Sequence, residues 1–187
     1  RETPAHDVTL PFTRMLAGSF DYEPGILNNA TRKGFRPIEG MVMSQGTRCH
    51  QLAMFVVYDN PMQIFSGNPS QASLEPEFTS LMGSIPTTWN QTNILDGKVG
   101  EYIVTSRQNG NNWFIAGMSN WTPRDITVKF DFLDASANYK ATICKDGVNA
   151  DRYAADYILN DAMIKKGDVI KVHLAPGGGF LMKVVKE

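Results

Sequence analysis

The chain has 187 residues, of which 42% are hydrophobic and 20% are charged, a composition typical of a globular protein with a real apolar core. The formal net charge is −1 and Lys and Arg form no cluster longer than a pair, which argues against a nucleic-acid partner. No apolar run approaches the roughly 20 residues of a membrane-spanning helix, so no membrane partner is expected either.

The first half of the chain is predicted to be helical and rich in loops. Asp7 is a candidate N-cap for a short helix that ends near Gly18, since its carboxylate can accept hydrogen bonds from free backbone N–H groups. Residues 20–22 could form a short strand. Thr47 is a second candidate N-cap, for a helix over residues 48–58 that Asp-Asn-Pro would stop.

A further helix is predicted over residues 75–82, and the composition then changes near residues 86–97. Two or so helices and one or two strands do not close a domain. The sequence therefore predicts that residues 1–88 are the last part of a larger domain.

The second half of the chain, residues 89–187, is predicted to form a β domain. Short apolar runs between turn residues predict strands over residues 101–107, 113–119, 126–132, 139–144, 169–174 and 180–185, with a weaker candidate at 162–164. The connections are too short for parallel crossovers, so an antiparallel sandwich or small barrel is expected. Gly177, Gly178 and Gly179 are expected to form a tight hairpin. From residue 92 onwards, the domain is expected to fold alone as a monomer.

Several polar groups are candidates for chemistry. Asp21 and Tyr22 are candidate substrate-binding residues, because a carboxylate accepts hydroxyl hydrogen bonds and a ring can stack on a sugar; a surface turn at Pro24-Gly25 explains them equally well. His6 and Asp7 are better explained by a helix cap than by a catalytic pair.

Other groups are expected to be structural. Cys49-His50 lacks further metal ligands at usable spacing, so a core position is favoured over a metal site. Cys49 and Cys144 are expected to be buried free thiols, since two cysteines make no disulfide framework. Trp89 is expected to pack where the two halves meet rather than to line a sugar site.

Taken together, several segments resemble glycoside hydrolase family 97. They are HDVTLPFTRMLAG at residues 6–18, DYEPG at 21–25, GTR and HQLA at 46–53, IPTTW at 85–89, LDGKVGEY at 95–102, NWTPR at 120–124 and LAPGGG at 174–179. These segments are spread over nearly the whole chain, in the order in which the family has them. The combination is therefore far more specific than any single segment.

The resemblance implies an N-terminal β domain, a catalytic (β/α)8 barrel and a small C-terminal β domain. This chain would then be the C-terminal end of that barrel, residues 1–88, followed by the all-β antiparallel sandwich, residues 89–187. It further implies cleavage of α-glucosidic or α-galactosidic bonds in an oligosaccharide or glycoside, a calcium ion beside the active site and a bacterial periplasmic location. The main catalytic carboxylates and the calcium ligands would lie upstream, so no catalytic or metal residue is assigned here.

Two departures from the family pattern concern the domain boundary and the candidate strand. Asn90-Gln91-Thr92 stands where Asp-Glu-Thr is usual, and Ser19-Phe20 stands where Pro-Met is expected. The first departure puts any charge-dependent role of that segment in doubt. The alternative interpretation of the chain is a non-catalytic β-sandwich module that binds carbohydrate or steadies a partner domain.

Overall fold

The computed structural model describes residues 3–36 and 38–187. Its helices are α1 (Pro4–Asp7), α2 (Arg48–Val57), α3 (Pro69–Ala72) and α4 (Pro76–Gly83), with 3-10 turns at Leu10–Phe12 and Arg14–Ala17. The prediction of helices near residues 48–58 and 75–82 is confirmed. Within the described ranges, no helix has the length and apolar character needed to cross a bilayer.

The N-terminal helix is not capped as predicted. The Thr3 hydroxyl accepts the His6 N–H and Pro4 begins the helix, whereas Asp7 is the last helical residue and is 3% exposed. The predicted strand over residues 20–22 is also wrong, since these residues belong to no strand. Their segment is anchored instead by the Phe20 N–H, which donates to the carbonyl oxygen of Asp59.

Helix α2 is buried along its whole length. The Thr47 hydroxyl caps it by accepting the His50 N–H at 3.1 Å, as predicted. Its apolar residues are not confined to one stripe, and a helix of this kind must be covered on more than one side. The Arg107 guanidinium donates to the Val57 carbonyl at 3.1 Å, which satisfies an acceptor at the C-terminus of the helix.

The described part of the chain also contains ten strands. They are β1 (Asn29–Ala30), β2 (Ser44–Gln45), β3 (Gln91–Lys98), β4 (Tyr102–Asn109), β5 (Asn112–Ser119), β6 (Arg124–Lys129), β7 (Tyr139–Asp146), β8 (Tyr157–Ile164), β9 (Val169–Leu174) and β10 (Gly179–Lys186). Strands β1 and β2 pair in parallel. The others form a six-stranded sheet, β3-β4-β5-β10-β7-β8, and a two-stranded sheet, β6-β9, in which every pair is antiparallel.

The prediction of an antiparallel β domain is confirmed, with two differences in its strands. Strand β3 was not predicted, because its polar residues alternate too little with apolar ones, and β8 is longer than the weak candidate at 162–164. The six-stranded and two-stranded sheets enclose one core, to which β6 contributes Ile126 and Val128, and β10 contributes Phe180 and Met182.

The other face of the six-stranded sheet is also buried, because α2 packs across β5 and β10. This second core joins Leu52, Val56 and other α2 residues to Phe114 and Leu181 of the sheet. The central strands are therefore covered on both faces, and strand β5 is buried at every position except Asn112. The two predicted halves form one packed unit rather than two separable pieces.

The predicted hairpin at Gly177–Gly179 is wrong, because β9 and β10 lie in different sheets. The three glycines carry the chain from one sheet to the other beneath the start of α2. A Cβ atom on Gly179 would lie 2.7 Å from the Cys49 carbonyl oxygen, and one on Gly178 would lie 2.0 Å from Asp146 Oδ2. Glycine is therefore required by the close approach of this loop to its neighbours.

Trp89 and the two cysteines lie where predicted. The half-buried Trp89 ring packs edge-on against Phe114, with the centroids 5.5 Å apart, and the Arg107 guanidinium lies 5.6 Å from the indole. Cys49 of α2 and Cys144 of β7 are both buried free thiols. Their sulfur atoms are 3.8 Å apart, so the thiols contact each other across the second core.

Candidate functional site

Asp7 is the centre of a buried polar cluster. Its Oδ1 accepts the Tyr22 hydroxyl at 3.0 Å, its Oδ2 lies 3.3 Å from His50 Nε2, and its backbone carbonyl accepts the Tyr58 hydroxyl at 2.9 Å. Since buried carboxylates are costly unless they are hydrogen-bonded, each contact stabilises Asp7 in this position. The cluster fixes α1 and the segment around Tyr22 against α2.

His50 extends the cluster to the terminal β domain. Its ring is 0% exposed, and Nδ1 lies 3.1 Å from the Gly178 carbonyl oxygen, so Nδ1 must carry a proton and donate it. The other ring nitrogen, Nε2, lies 3.3 Å from Asp7 Oδ2, so the ring joins the terminal β domain to the Asp7 cluster. The Cys49-His50 pair thus has the core position that was predicted, with a defined partner on each ring nitrogen.

A pocket opens beside this cluster. Its lining includes Asp7, Tyr22, Glu23, Gln45 and Gln51, and Gln45 ends β2 of the parallel pair. The Gln51 side chain is held in place, because Oε1 accepts the Gly25 N–H at 3.1 Å. A concave surface with carboxylate, amide and phenol groups is suited to binding hydroxyl-rich ligands.

The two predicted substrate-binding residues differ in their surroundings. Asp21 is exposed and lines an adjacent open pocket with Tyr22, Glu23 and Ser66. Tyr22 is half-buried and packs edge-on against Tyr58, with the centroids 4.7 Å apart. Tyr22 therefore presents only part of its ring to a ligand, while its hydroxyl group positions Asp7.

Sequence reasoning missed three contributors to this site, Asp7, Gln45 and Gln51. Asp7 was interpreted as a cap, and the two glutamines lie close to the cap of α2 without any motif of their own. A signal was nevertheless present, because segments quoted for the family resemblance supply Asp7, Tyr22, His50 and Gly178. The structure brings these dispersed segments together around one buried carboxyl group.

Arg48 forms a second polar cluster, which ties the halves of the chain together. Its guanidinium, in a residue that is only 5% exposed, donates to the Leu27 carbonyl at 2.9 Å, to Asn29 Oδ1 at 3.2 Å and to Glu75. Glu75 also accepts the Tyr157 hydroxyl of β8 at 2.8 Å. The guanidinium further lies 5.9 Å from the Phe78 ring centroid and 5.8 Å from that of Tyr157.

Asp146 is a buried acid at the end of β7. Its Oδ2 accepts the N–H groups of Ala175 at 2.9 Å and Gly179 at 3.1 Å. Burial nevertheless dominates and raises the pKa of Asp146 to about 6, although the Thr47 hydroxyl and these two N–H groups act to lower it. Asp146 is therefore protonated in the folded chain at pH values below about 6.

The raised pKa of Asp146 predicts that the free energy of unfolding falls as the pH rises. The folded pKa lies above the ordinary value of 3.8, so the folded state binds more protons than the unfolded state between the two values. The stabilisation is complete below about pH 4 and is lost as the pH passes about 6. At about 1.4 kcal/mol per pKa unit, the free energy of unfolding should fall by about 2 kcal/mol between pH 4 and pH 7.

Replacing Asp146 with Asn should remove this contribution, because the amide mimics the neutral acid. Urea unfolding from pH 4 to pH 7 should show a flatter profile for Asp146→Asn than for the unchanged chain, and higher stability at pH 7. Asp151→Asn, at an exposed site, serves as the control and should keep the original slope. Parallel profiles for Asp146→Asn and the unchanged chain would show that Asp146 is ionised when buried.

Among the described residues, no group of three or more His, Cys, Asp or Glu side chains could hold a metal ion. The site described above thus contains polar groups for ligand contact but no evident cation centre. The calcium site that the resemblance implies stays a prediction, and its ligands would lie upstream of this chain.

Comparisons with known proteins give two relatives that match nearly the whole chain. The chain is 46% identical over 179 residues to a retaining α-galactosidase of Bacteroides thetaiotaomicron, covering 96% of this chain and 27% of that protein. It is 26% identical over 178 residues to a probable retaining α-galactosidase of Streptomyces bingchenggensis, covering 95% of this chain and 25% of that protein. The chain therefore spans about a quarter of the length of these relatives.

A solved structure and a family model give the same assignment. The structure is a glycoside hydrolase family 97 enzyme of Pseudoalteromonas sp. strain K8 in complex with panose, with a TM-score of 0.91 and 31% identity over 100% of this chain and 29% of that one. The family model, described as "Glycosyl-hydrolase 97 C-terminal, oligomerisation", matches residues 88–185. The chain belongs to glycoside hydrolase family 97.

Proposed function

We propose that this chain is the C-terminal part of a retaining α-galactosidase. The observation that carries the proposal is the 46% identity, along nearly the whole chain, to a protein named as a retaining α-galactosidase. Retention requires a carboxylate nucleophile and a second carboxyl group about 5–5.5 Å away. We place the main catalytic carboxylates upstream of this chain, in keeping with the share of the relatives that it spans.

Residues 1–88 would then complete a catalytic (β/α)8 barrel. The parallel pairing of β1 with β2 supports this, because barrel strands are parallel and are followed by helices, as β2 is followed by α2. Barrel active sites form at the carboxyl ends of strands, and the pocket reached by Gln45 has this position relative to β2. Tyr22 would bind substrate there, and Asp21 would bind it in the adjacent open pocket.

Residues 89–187 would serve as a non-catalytic domain for oligomerisation, which is the role that the matched family description prints. Its own core lies between the six-stranded and two-stranded sheets, so the domain has an apolar interior of its own. Binding of calcium by upstream residues and a periplasmic location complete the proposal.

An α-glucosidase is the second candidate, because the Pseudoalteromonas enzyme was solved with panose. The discriminating measurement is hydrolysis of 4-nitrophenyl α-galactoside and α-glucoside by the parent protein. Faster cleavage of the galactoside, with the α anomer as the first product in an NMR time course, is the expected result. Faster cleavage of the glucoside or release of the β anomer would contradict the proposal.

The isolated 187-residue chain should cleave neither substrate, since a (β/α)8 barrel needs about 250 residues. In the parent protein, Asp21→Asn should lower kcat/KM roughly 10- to 100-fold, the effect of losing a charged hydrogen bond of about 1.5–3 kcal/mol. Asp151→Asn is the control and should change neither kcat nor KM. Unchanged kinetics for Asp21→Asn would remove Asp21 from the substrate site.

A further inference from the structure

Strands β3 and β8 form the two edges of the six-stranded sheet. They differ in how well they are protected against pairing with a strand of another molecule. Edge strands expose free backbone N–H and C=O groups, and bulges, charges and covering segments normally block them. Strand β3 has a register shift between Ile94 and Asp96 and carries Asp96 and Lys98. The N-terminal segment also lies against its end, because a Cβ atom on Gly97 would be 3.0 Å from the Phe12 ring.

Strand β8 is less protected. It pairs with β7 through eight consecutive residues without a register shift, and its sequence contains no Pro, Gly or Lys. Asp161 is its single charged residue. That carboxylate turns back onto β7, where it accepts the Thr142 hydroxyl at 2.7 Å and pairs with Lys140 at 2.8 Å, so it does not repel an approaching strand.

The same edge exposes apolar side chains near both of its ends. Ile158 is 38% exposed and Met163 is 59% exposed, and they lie on opposite faces of the sheet because five residues separate them. Helix α4 contacts the start of β8, where Phe78 packs against Tyr157 with the centroids 5.2 Å apart, and a groove between α4 and the sheet remains open beside Leu159 and Asp161. A second strand can therefore approach β8 without displacing α4.

We infer that β8 is the self-association surface, and that β8 of a second copy pairs with it in antiparallel fashion about a two-fold axis. The occupant is a second copy because the family description assigns oligomerisation to residues 88–185, and the inference rests on that proposed role. A two-fold axis places the same strand on both sides of the interface. Antiparallel pairing then joins the two six-stranded sheets into one continuous sheet.

The experiment is sedimentation of the 187-residue chain carrying Met41→Lys and Val42→Lys, which removes exposed apolar residues of the N-terminal half as a separate cause of association. This background chain should be dimeric. Adding Ile158→Lys and Met163→Lys should weaken the dimer at least 100-fold. The matched control, Ile94→Lys and Val99→Lys near the protected edge, should leave the dimer unchanged.

A covalent test is independent of any effect of lysine on folding. Asn160→Cys near the centre of β8 should give a disulfide-linked dimer when oxidised glutathione is supplied as the oxidant, whereas Asn93→Cys on β3 should not. A monomeric background chain would contradict both the oligomerisation role and this inference. A dimer that survives the β8 lysines without Asn160→Cys cross-linking, or that the β3 lysines dissociate, would overturn the inference alone.

Discussion

A segment comprising residues 92–187 is expected to lose the cooperative unfolding transition of the whole chain. Removal of α2 would expose one face of the six-stranded sheet, which carries Ile103, Phe114, Ala116, Met118, Cys144 and Leu181 in the core shared with the helix. Burial of each large side chain contributes about 1.5–3 kcal/mol to the free energy of unfolding. Removal of α2 should therefore lower that free energy by on the order of 10 kcal/mol. A typical domain is stable by only about 5–15 kcal/mol.

Thermal unfolding followed by near-ultraviolet circular dichroism, together with sedimentation, measures this effect. The short segment should melt broadly and aggregate, because the uncovered face is a large apolar patch. The whole chain, which keeps α2 and the segments that cover it, is the control and should melt in one sharp step. The packing of α2 on the sheet thus leads us to expect a dependent segment, where the sequence alone predicts an autonomous monomer. A sharp transition of the 92–187 segment near the midpoint of the whole chain would restore that expectation.

Replacing Arg48 with Met is expected to lower the free energy of unfolding by about 3–5 kcal/mol, the usual effect of removing one partner from a buried ion pair. The variant keeps the packing volume between the Phe78 and Tyr157 rings. It leaves the Leu27 carbonyl and the Glu75 carboxylate without the guanidinium that binds them. Lysine cannot restore these contacts, since an ammonium group lacks the planar fork of donors.

Urea unfolding at pH 7 gives the measurement, and Arg152→Met provides the control. The Arg152 side chain is 86% exposed and contacts only its neighbour Asp151 among the ion pairs of the described residues, so its loss should change stability by less than about 0.5 kcal/mol. Adding Glu75→Gln to Arg48→Met should recover part of the loss, because the uncompensated charge is gone. A change below about 1 kcal/mol for Arg48→Met would show that the cluster does not hold the two halves together.

Much of the local structure was determined by the sequence. The Thr47 cap and the stop before Pro61 define α2, because both act within a few residues of the backbone groups that they affect. The short connections between the apolar runs indicated the antiparallel class in the same way, since a parallel crossover needs a dozen or more residues. The family resemblance rested on short segments that are themselves local.

Long-range contacts were decided only by the tertiary structure. The autonomy of residues 92–187 stays a prediction that the sequence alone cannot judge, because a strand pattern shows that a strand has a buried face but not that α2 covers the second face of the sheet. Asp7 was interpreted as a cap because local sequence cannot reveal His50, 43 residues away along the chain. Gly177–Gly179 resembled a hairpin until the two flanking strands were found in different sheets. In each case the partner that determines the role of the residue is remote in sequence, and only packing brings the two together.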